Sequence, residues 1–173
     1  MNLKNMDYWD KIKLAKNSDT PLDILREFAT DDSVYVRRNV AWNPSTPYAI
    51  LRELATDEDG WIRYQVANNP STPIDVLRAL AKDKSEEVRW EVAENPSTPL
   101  DVLRELVKDR YWEVRRNVAL NPKASSKILI MLFEYEKNLR ESVVEVINAL
   151  YANKNLPHIA KVIIETLFGD WVL

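Results

Sequence analysis

The 173-residue chain sets 24 Lys and Arg against 27 Asp and Glu, with no Cys, one His and two Gly. Without Cys there is no disulfide framework and no thiolate zinc or iron-sulfur site, and a lone His158 cannot build a multi-histidine metal centre. Gly60 and Gly169 are too few and too far apart for a glycine-rich phosphate cradle, and a net charge of -3 denies the broad basic field on which duplex nucleic-acid binding draws.

From the N-terminus, MNLKNMDYWD lacks the apolar stretch of a signal peptide, and the longest apolar run, Ile128 to Phe133, falls far short of the roughly 20 residues that span a bilayer. The expectation is a cytoplasmic protein with no membrane partner. Residues 5–16 then align with the second half of a unit that recurs downstream. Leu14-Ala15 matches a recurring Val-Ala pair, while Asp10-Lys11 replaces a Val-Arg pair, so residues 1–16 read as a half-repeat cap with a polar outer side.

The repeat itself opens on a punctuation mark: Asn17-Ser-Asp-Thr-Pro21, then NPSTP from Asn43, Asn69 and Asn95, then a degraded mark from Asn121, at a spacing of 26 residues. Eight of the nine prolines lie in these marks and none interrupts an element. Each of the four repeats over 17–122 predicts two helices. In the first, the Thr of the mark is the expected N-cap and the following Pro suits the first turn, with Asp23, Asp75 and Asp101 favouring the positive helix end. Leu25, Leu51, Leu77 and Leu103, then Phe28, Leu54, Leu80 and Leu106, form its apolar stripe. The next Asn-Pro stops the second helix. Past residue 122 the pattern diverges: Ser125-Ser126 replaces Thr-Pro, and a further Asn-rich mark, Asn153 to Pro157, comes 32 residues after Asn121 instead of 26. Residues 123–173 predict about three divergent capping helices. The prediction is a single all-α repeat domain over 1–173, an α-solenoid of two-helix repeats with divergent caps.

Taken together, NPSTPxxxLRxLAxDxxxxVRxxVAxNP resembles the leucine-rich repeat variant (LRV) family over about residues 5–122, and its D-x5-R element also resembles HEAT-like repeats. The resemblance implies a right-handed superhelix of paired helices and a binding or scaffolding role, with no catalytic residue. Some relatives carry a Cys-rich segment holding an iron-sulfur cluster; this sequence has no Cys, so no cofactor is carried over.

Two features of the second helix bear on function. Its core side carries Val36, Ile62, Val88 and Val114, each followed by Arg37, Arg63, Arg89 and Arg115, charges that need partners if buried. Asp31, Asp57, Asp83 and Asp109 are the expected partners, within a repeat or across to the next, forming a structural ladder rather than a row of acid/base catalysts. The opposite face, expected to be polar, instead holds Tyr8, Trp9, Tyr35, Trp42, Trp61, Tyr64, Trp90 and Trp112. Five of the six Trp fall there, where random placement puts about one. Lys13, Lys16 and Arg38 accompany the first copies, Glu86, Glu87, Glu91 and Glu94 surround Trp90, and Arg116 and Asn117 follow. If the second helices line the concave side, as in analogous helical repeats, this is a groove for an extended peptide with a basic segment opposite Trp90. The partner-binding set is Trp9, Tyr35, Arg38, Trp42, Trp61, Tyr64, Trp90, Glu94, Trp112 and Arg116. The expected function is non-enzymatic binding of a protein or peptide. The alternatives are nucleic-acid binding by base stacking, which the glutamates and net charge disfavour, and a purely self-associating structural module.

Overall fold

The computed structural model describes residue 3 and residues 6–139 and 144–168. Parts of both predicted caps, including Gly169, lie outside the described residues. Among the described residues there are twelve helices and no strand. The helices alternate in length through the repeats. Short ones, α2 (Leu22–Phe28), α4 (Tyr48–Leu54), α6 (Ile74–Leu80) and α8 (Leu100–Leu106), have seven residues each. Longer ones, α1 (Tyr8–Lys16), α3 (Val34–Trp42), α5 (Gly60–Asn68), α7 (Glu86–Glu94) and α9 (Trp112–Leu120), have nine. After the last mark come α10 (Ser126–Glu136), α11 (Val144–Ala152) and α12 (His158–Phe168). Helices of two turns are not stable alone in water, where about 12 to 15 residues is already marginal. Their stability therefore comes from packing.

The chain divides into two compact units, residues 1–88 and 89–173. In the first, α1, α3 and α5 lie side by side, with α2 against α1 and α3, α4 against α3 and α5, and α6 against α5. Leu25, Phe28, Ile50, Leu51, Ile62 and Leu77 are fully enclosed between the two rows. In the second unit α9 packs on α8, α10 and α11, and α11 also meets α10 and α12. Leu103, Ile128, Leu129, Leu132, Ile147 and Leu150 fill its interior.

The punctuation marks work differently from the capping rule that the sequence suggests. Each short helix starts one residue after the mark's last proline; Pro21, Pro47, Pro73 and Pro99 are the N-cap residues, and no side chain caps these helices. The Thr before each proline instead donates its hydroxyl backwards. Thr20 bonds the Leu14 carbonyl at 2.6 Å, Thr46 that of Val40 at 2.6 Å, Thr72 that of Val66 at 2.5 Å and Thr98 that of Val92 at 2.5 Å. A helix end leaves its last carbonyls without intrahelical donors, and a donor held at the right height by the tight Asn-Pro turn meets one of them. The Thr is thus a C-terminal clasp for the preceding helix and not an N-cap for the next.

The Asn that opens each mark is the other unexpected link. The Asn43 side-chain amide donates to the Ala15 and Asn17 carbonyls at 2.8 and 2.9 Å, and Asn69 does the same to Ala41 and Asn43 at 2.8 and 2.9 Å. In the second unit Asn121 bonds Ala93 and Asn95, and Asn153 bonds Ala119 despite the longer spacing. Each amide oxygen accepts the backbone N–H two residues on, as at Ser45, Ser71, Lys123 and Asn155. One side chain therefore closes its own turn and ties it to the turn of the preceding copy.

Candidate functional site

The arginines on the core side pair forward by one repeat. Arg37 forks onto both oxygens of Asp57 at 2.8 and 3.2 Å, Arg63 onto Asp83 at 2.7 and 3.0 Å, and Arg89 onto Asp109 at 2.7 and 3.0 Å. The third guanidinium nitrogen turns back to the carbonyls of its own repeat, Asp31 and Asp32 for Arg37, Asp57 and Glu58 for Arg63. Each Asp also accepts the N–H two residues on, at Ser33, Asp59, Ser85 and Tyr111. The sequence did not point to the two ends of this series. Lys11, predicted on a polar outer side, bonds Asp31 at 2.7 Å and is mostly buried. Arg115 takes Glu136 of α10, fully buried, at 2.5 Å in place of an Asp. Burial pushes the Asp57, Asp83 and Asp109 carboxyls up, but the hydrogen bonds from their arginines and from backbone N–H groups, with the arginine charge, hold all three below the ordinary carboxylate range. Arg37 and Arg63 are raised, chiefly by their bonds to Asp57 and Asp83. The carboxylates and guanidinium groups of these rungs are engaged with one another and with backbone groups of the chain, so the rungs bind the repeats.

The aromatic face is distributed between the two units. In the first, Trp9 is 71% exposed, Tyr35 59%, Trp42 51% and Trp61 57%, on three helices that lie side by side. Lys13, Lys16 and Arg38 are exposed on the same helices. Arg38 places its guanidinium 6.0 Å from the centre of the Trp61 ring, and Trp61 meets Tyr64, which is half-buried, edge-on at 5.4 Å. Tyr8 packs edge-on against Trp9 at 5.0 Å. Beside Trp61 is an open cleft of about 210 Å³ lined by Gly60, Trp61, Tyr64, Ser85 and Glu87.

The second unit departs further from the sequence expectation. Trp90, Trp112 and Arg116 are half-buried, and the Trp90 indole nitrogen is enclosed without a hydrogen-bond partner among the described residues. Glu91, expected among the exposed acids, is buried, as is Asn117, whose amide donates to the exposed Glu94 at 3.0 Å. The acids expected around Trp90 are thus split: Glu91 is buried, Glu86 half-buried, and Glu87 and Glu94 are exposed. A helical wheel treats a helix as isolated; here the flanks of its outer face are covered by packed neighbours, leaving a narrower strip in solvent. The opposite omission also occurs. Leu22, Tyr48 and Ile74, at the first position of α2, α4 and α6, are exposed apolar residues that the core-stripe reading passed over.

His158, exposed at the start of α12, has no metal-binding neighbours: no group of three His, Cys, Asp or Glu capable of holding an ion occurs among the described residues. No described helix is long and apolar enough to cross a membrane.

These features define an all-α helical-repeat protein, an α-solenoid of short helix pairs. Within that class the chain has the leucine-rich repeat variant fold. It is similar to a solved structure described as a leucine-rich repeat variant with a novel repetitive protein structural motif, at 29% identity and a TM-score of 0.65. The match covers 87% of this chain and 57% of that one, so this chain spans little more than half of the relative's length. No protein-family profile and no curated protein matches the sequence.

Proposed function

We propose that this chain is a non-enzymatic scaffold that binds a peptide or a protein segment along the aromatic face of α1, α3 and α5. The observation that carries the reading is the exposure, by half or more, of Trp9, Tyr35, Trp42 and Trp61 on adjacent helices. Folding alone gives no reason to place large aromatics in solvent, and exposed patches of this kind mark interaction sites. Each such side chain has roughly 150–250 Å² to bury, so covering the exposed halves of four yields on the order of 10 kcal/mol at about 25 cal/mol per Å². Association costs of about 4–15 kcal/mol leave room for moderate affinity, with Lys13, Lys16 and Arg38 steering the encounter.

The test is an array of short immobilised peptides probed with the full chain and with Trp42→Ala and Trp61→Ala. Each substitution removes an interface anchor worth about 2 kcal/mol and should weaken retention roughly 30-fold, with the melting temperature unchanged because neither ring is buried. If no peptide is retained, or both variants keep the wild-type pattern, the scaffold reading fails. Retention of single-stranded oligonucleotides at low salt, lost in the same variants, would replace it with base stacking. Concentration-dependent dimerisation lost in Trp42→Ala would replace it with self-association.

A further inference from the structure

Trp9, Tyr35 and Trp61 fall at one place in three successive copies. Each is the second residue of its helix, α1, α3 and α5, and each lies 26 residues from the next. The three helices lie side by side within the first unit, and packed helices are spaced about 8–10 Å apart. The side chains therefore stand as three successive ridges at that step, with two gaps between them. The end ridges are braced. Tyr8 packs edge-on against Trp9 at 5.0 Å, while Trp61 has Tyr64 edge-on at 5.4 Å and the Arg38 guanidinium 6.0 Å from its ring centre. All three residues still remain more than half exposed, at 71, 59 and 57%. The gaps have different floors. Arg38 reaches from α3 toward Trp61, so the second gap is basic; its counterpart in the first copy is the half-buried Ile12, one turn on from Trp9 along the same face of α1.

A peptide that crosses these ridges must repeat at the same step. A β-strand returns to one face every two residues, about 6.8 Å, and is out of register by the second gap. It also needs a sheet edge to pair with, and the described residues contain no strand. An α-helix repeats every 5.4 Å or so, about half the step, and drives alternate turns onto the rings. A polyproline II segment has three residues per turn and rises about 3.1 Å per residue, so every third side chain returns to the same face after about 9.3 Å. That matches the ridges and drops one turn into each gap. Its backbone carries no internal hydrogen bonds, so its carbonyls remain available to water or to a donor such as the Arg38 guanidinium. Proline rings pack flat against aromatic walls, and the segment is already ordered before it binds.

We propose that the row formed by Trp9, Tyr35 and Trp61 recognises a polyproline II segment with a proline at every third residue. The proposal rests on the scaffold reading above and names the class of peptide that this face takes. It is tested on the full chain with N-acetylnonaproline amide, following the Trp9 and Trp61 indole N–H signals by NMR, assigned by their absence in Trp9→Phe and Trp61→Phe. Nonaproline amide should move both signals saturably. Triproline amide, which fills one gap, and a flexible Gly-Ser nonapeptide, which must be ordered on binding, should each be at least about tenfold weaker. Tyr35→Ala removes a wall from both gaps and should weaken nonaproline amide about 30-fold, whereas Trp9→Ala removes a wall from one and should weaken it about tenfold. Tyr48→Ala, an equally exposed ring on α4 outside the row, should change nothing. If Tyr35→Ala does not fold, the length series and Trp9→Ala decide the matter. No saturable shift, an equal response to the Gly-Ser peptide, or an equal loss in Tyr48→Ala overturns the match. Shifts of the same signals with protein concentration alone, and none with nonaproline amide, would assign the row to a second copy of the chain and overturn it too. Proline-free peptides retained through Trp42 with nonaproline amide silent would sink the match and leave the scaffold standing. An array that retains nothing, with nonaproline amide silent, would remove both.

Discussion

Two ion pairs in this chain have nearly the same geometry and opposite weight. Arg63 forks onto Asp83 at 2.7 and 3.0 Å with both side chains about 8% exposed, and Arg52 forks onto Asp75 at 2.9 and 3.0 Å with both more than half exposed. Coulomb attraction at contact is strong only where solvent is excluded, and breaking a buried pair strands the remaining charge. Asp83→Ala should therefore destabilise by about 3 kcal/mol, the low end for buried pairs because the guanidinium keeps an edge in water, and lower the melting temperature by about 10 °C. Asp75→Ala should leave the midpoint where it is. Calorimetry on the two variants checks both, and equal effects would mean that burial is not what gives the rung its strength. The Arg-Asp set was legible in the sequence because an unvarying charge on an apolar stripe must be answered by another charge at the same period. Lys11 and Glu136 were not legible. Each changes residue type at an end of the array, and Glu136 sits 21 residues from Arg115 where the interior spacing is 20.

Between helices, the linking mark does more than stop one element and start the next. The sequence shows an Asn at the head of every mark, and the residue-before-proline rule explains a helix stop there without needing that particular side chain. What the rule omits is that the amide makes three bonds at once, two of them to carbonyls 26 and 28 residues back, which local reasoning has no way to reach. The Thr was misread for the same reason: N-capping looks forward along the chain, whereas Thr72 bonds backward to Val66. These roles rank two substitutions. Asn69→Ala takes the donor from the Ala41 carbonyl, the acceptor from the Ser71 N–H and one of two donors from the Asn43 carbonyl, which keeps the Thr46 N–H, and should cost about 3 kcal/mol, while Thr72→Val, nearly isosteric, removes one of two donors to the Val66 carbonyl and should cost about 1 kcal/mol. Denaturant unfolding of both variants tests the order. The reverse ranking would show that the clasp within a repeat outweighs the tie between repeats.

At the scale of the molecule, stability in a repeat array is approximately the sum of weak intrinsic terms and favourable interface terms, and helices of seven and nine residues leave nearly all of it to the interfaces. Each interface built by Arg37, Arg63 or Arg89 carries one rung whose carboxylate has a lowered pKa. A carboxylate depressed on folding contributes stability that is fully present above its unfolded value, near 4 for Asp, and is lost as the pH falls through the folded value. The melting midpoint should thus be flat from about pH 7 to about pH 5 and fall steeply below about pH 4 as Asp57, Asp83 and Asp109 take up protons. Because the protons land on interface terms and not on intrinsic ones, the transition should also broaden as it moves down, the neighbouring repeats becoming less dependent on one another. Circular dichroism melts at about pH 7, 5 and 3 measure both quantities. Asp83→Asn supplies the internal comparison. It keeps a side-chain oxygen to accept the Ser85 backbone N–H but has no proton to gain, so its midpoint should start lower at neutral pH and lose less on acidification. A wild-type midpoint that holds constant from about pH 5 to about pH 3 would remove the rungs from the list of forces joining the repeats, and the asparagine ties would then have to carry that role.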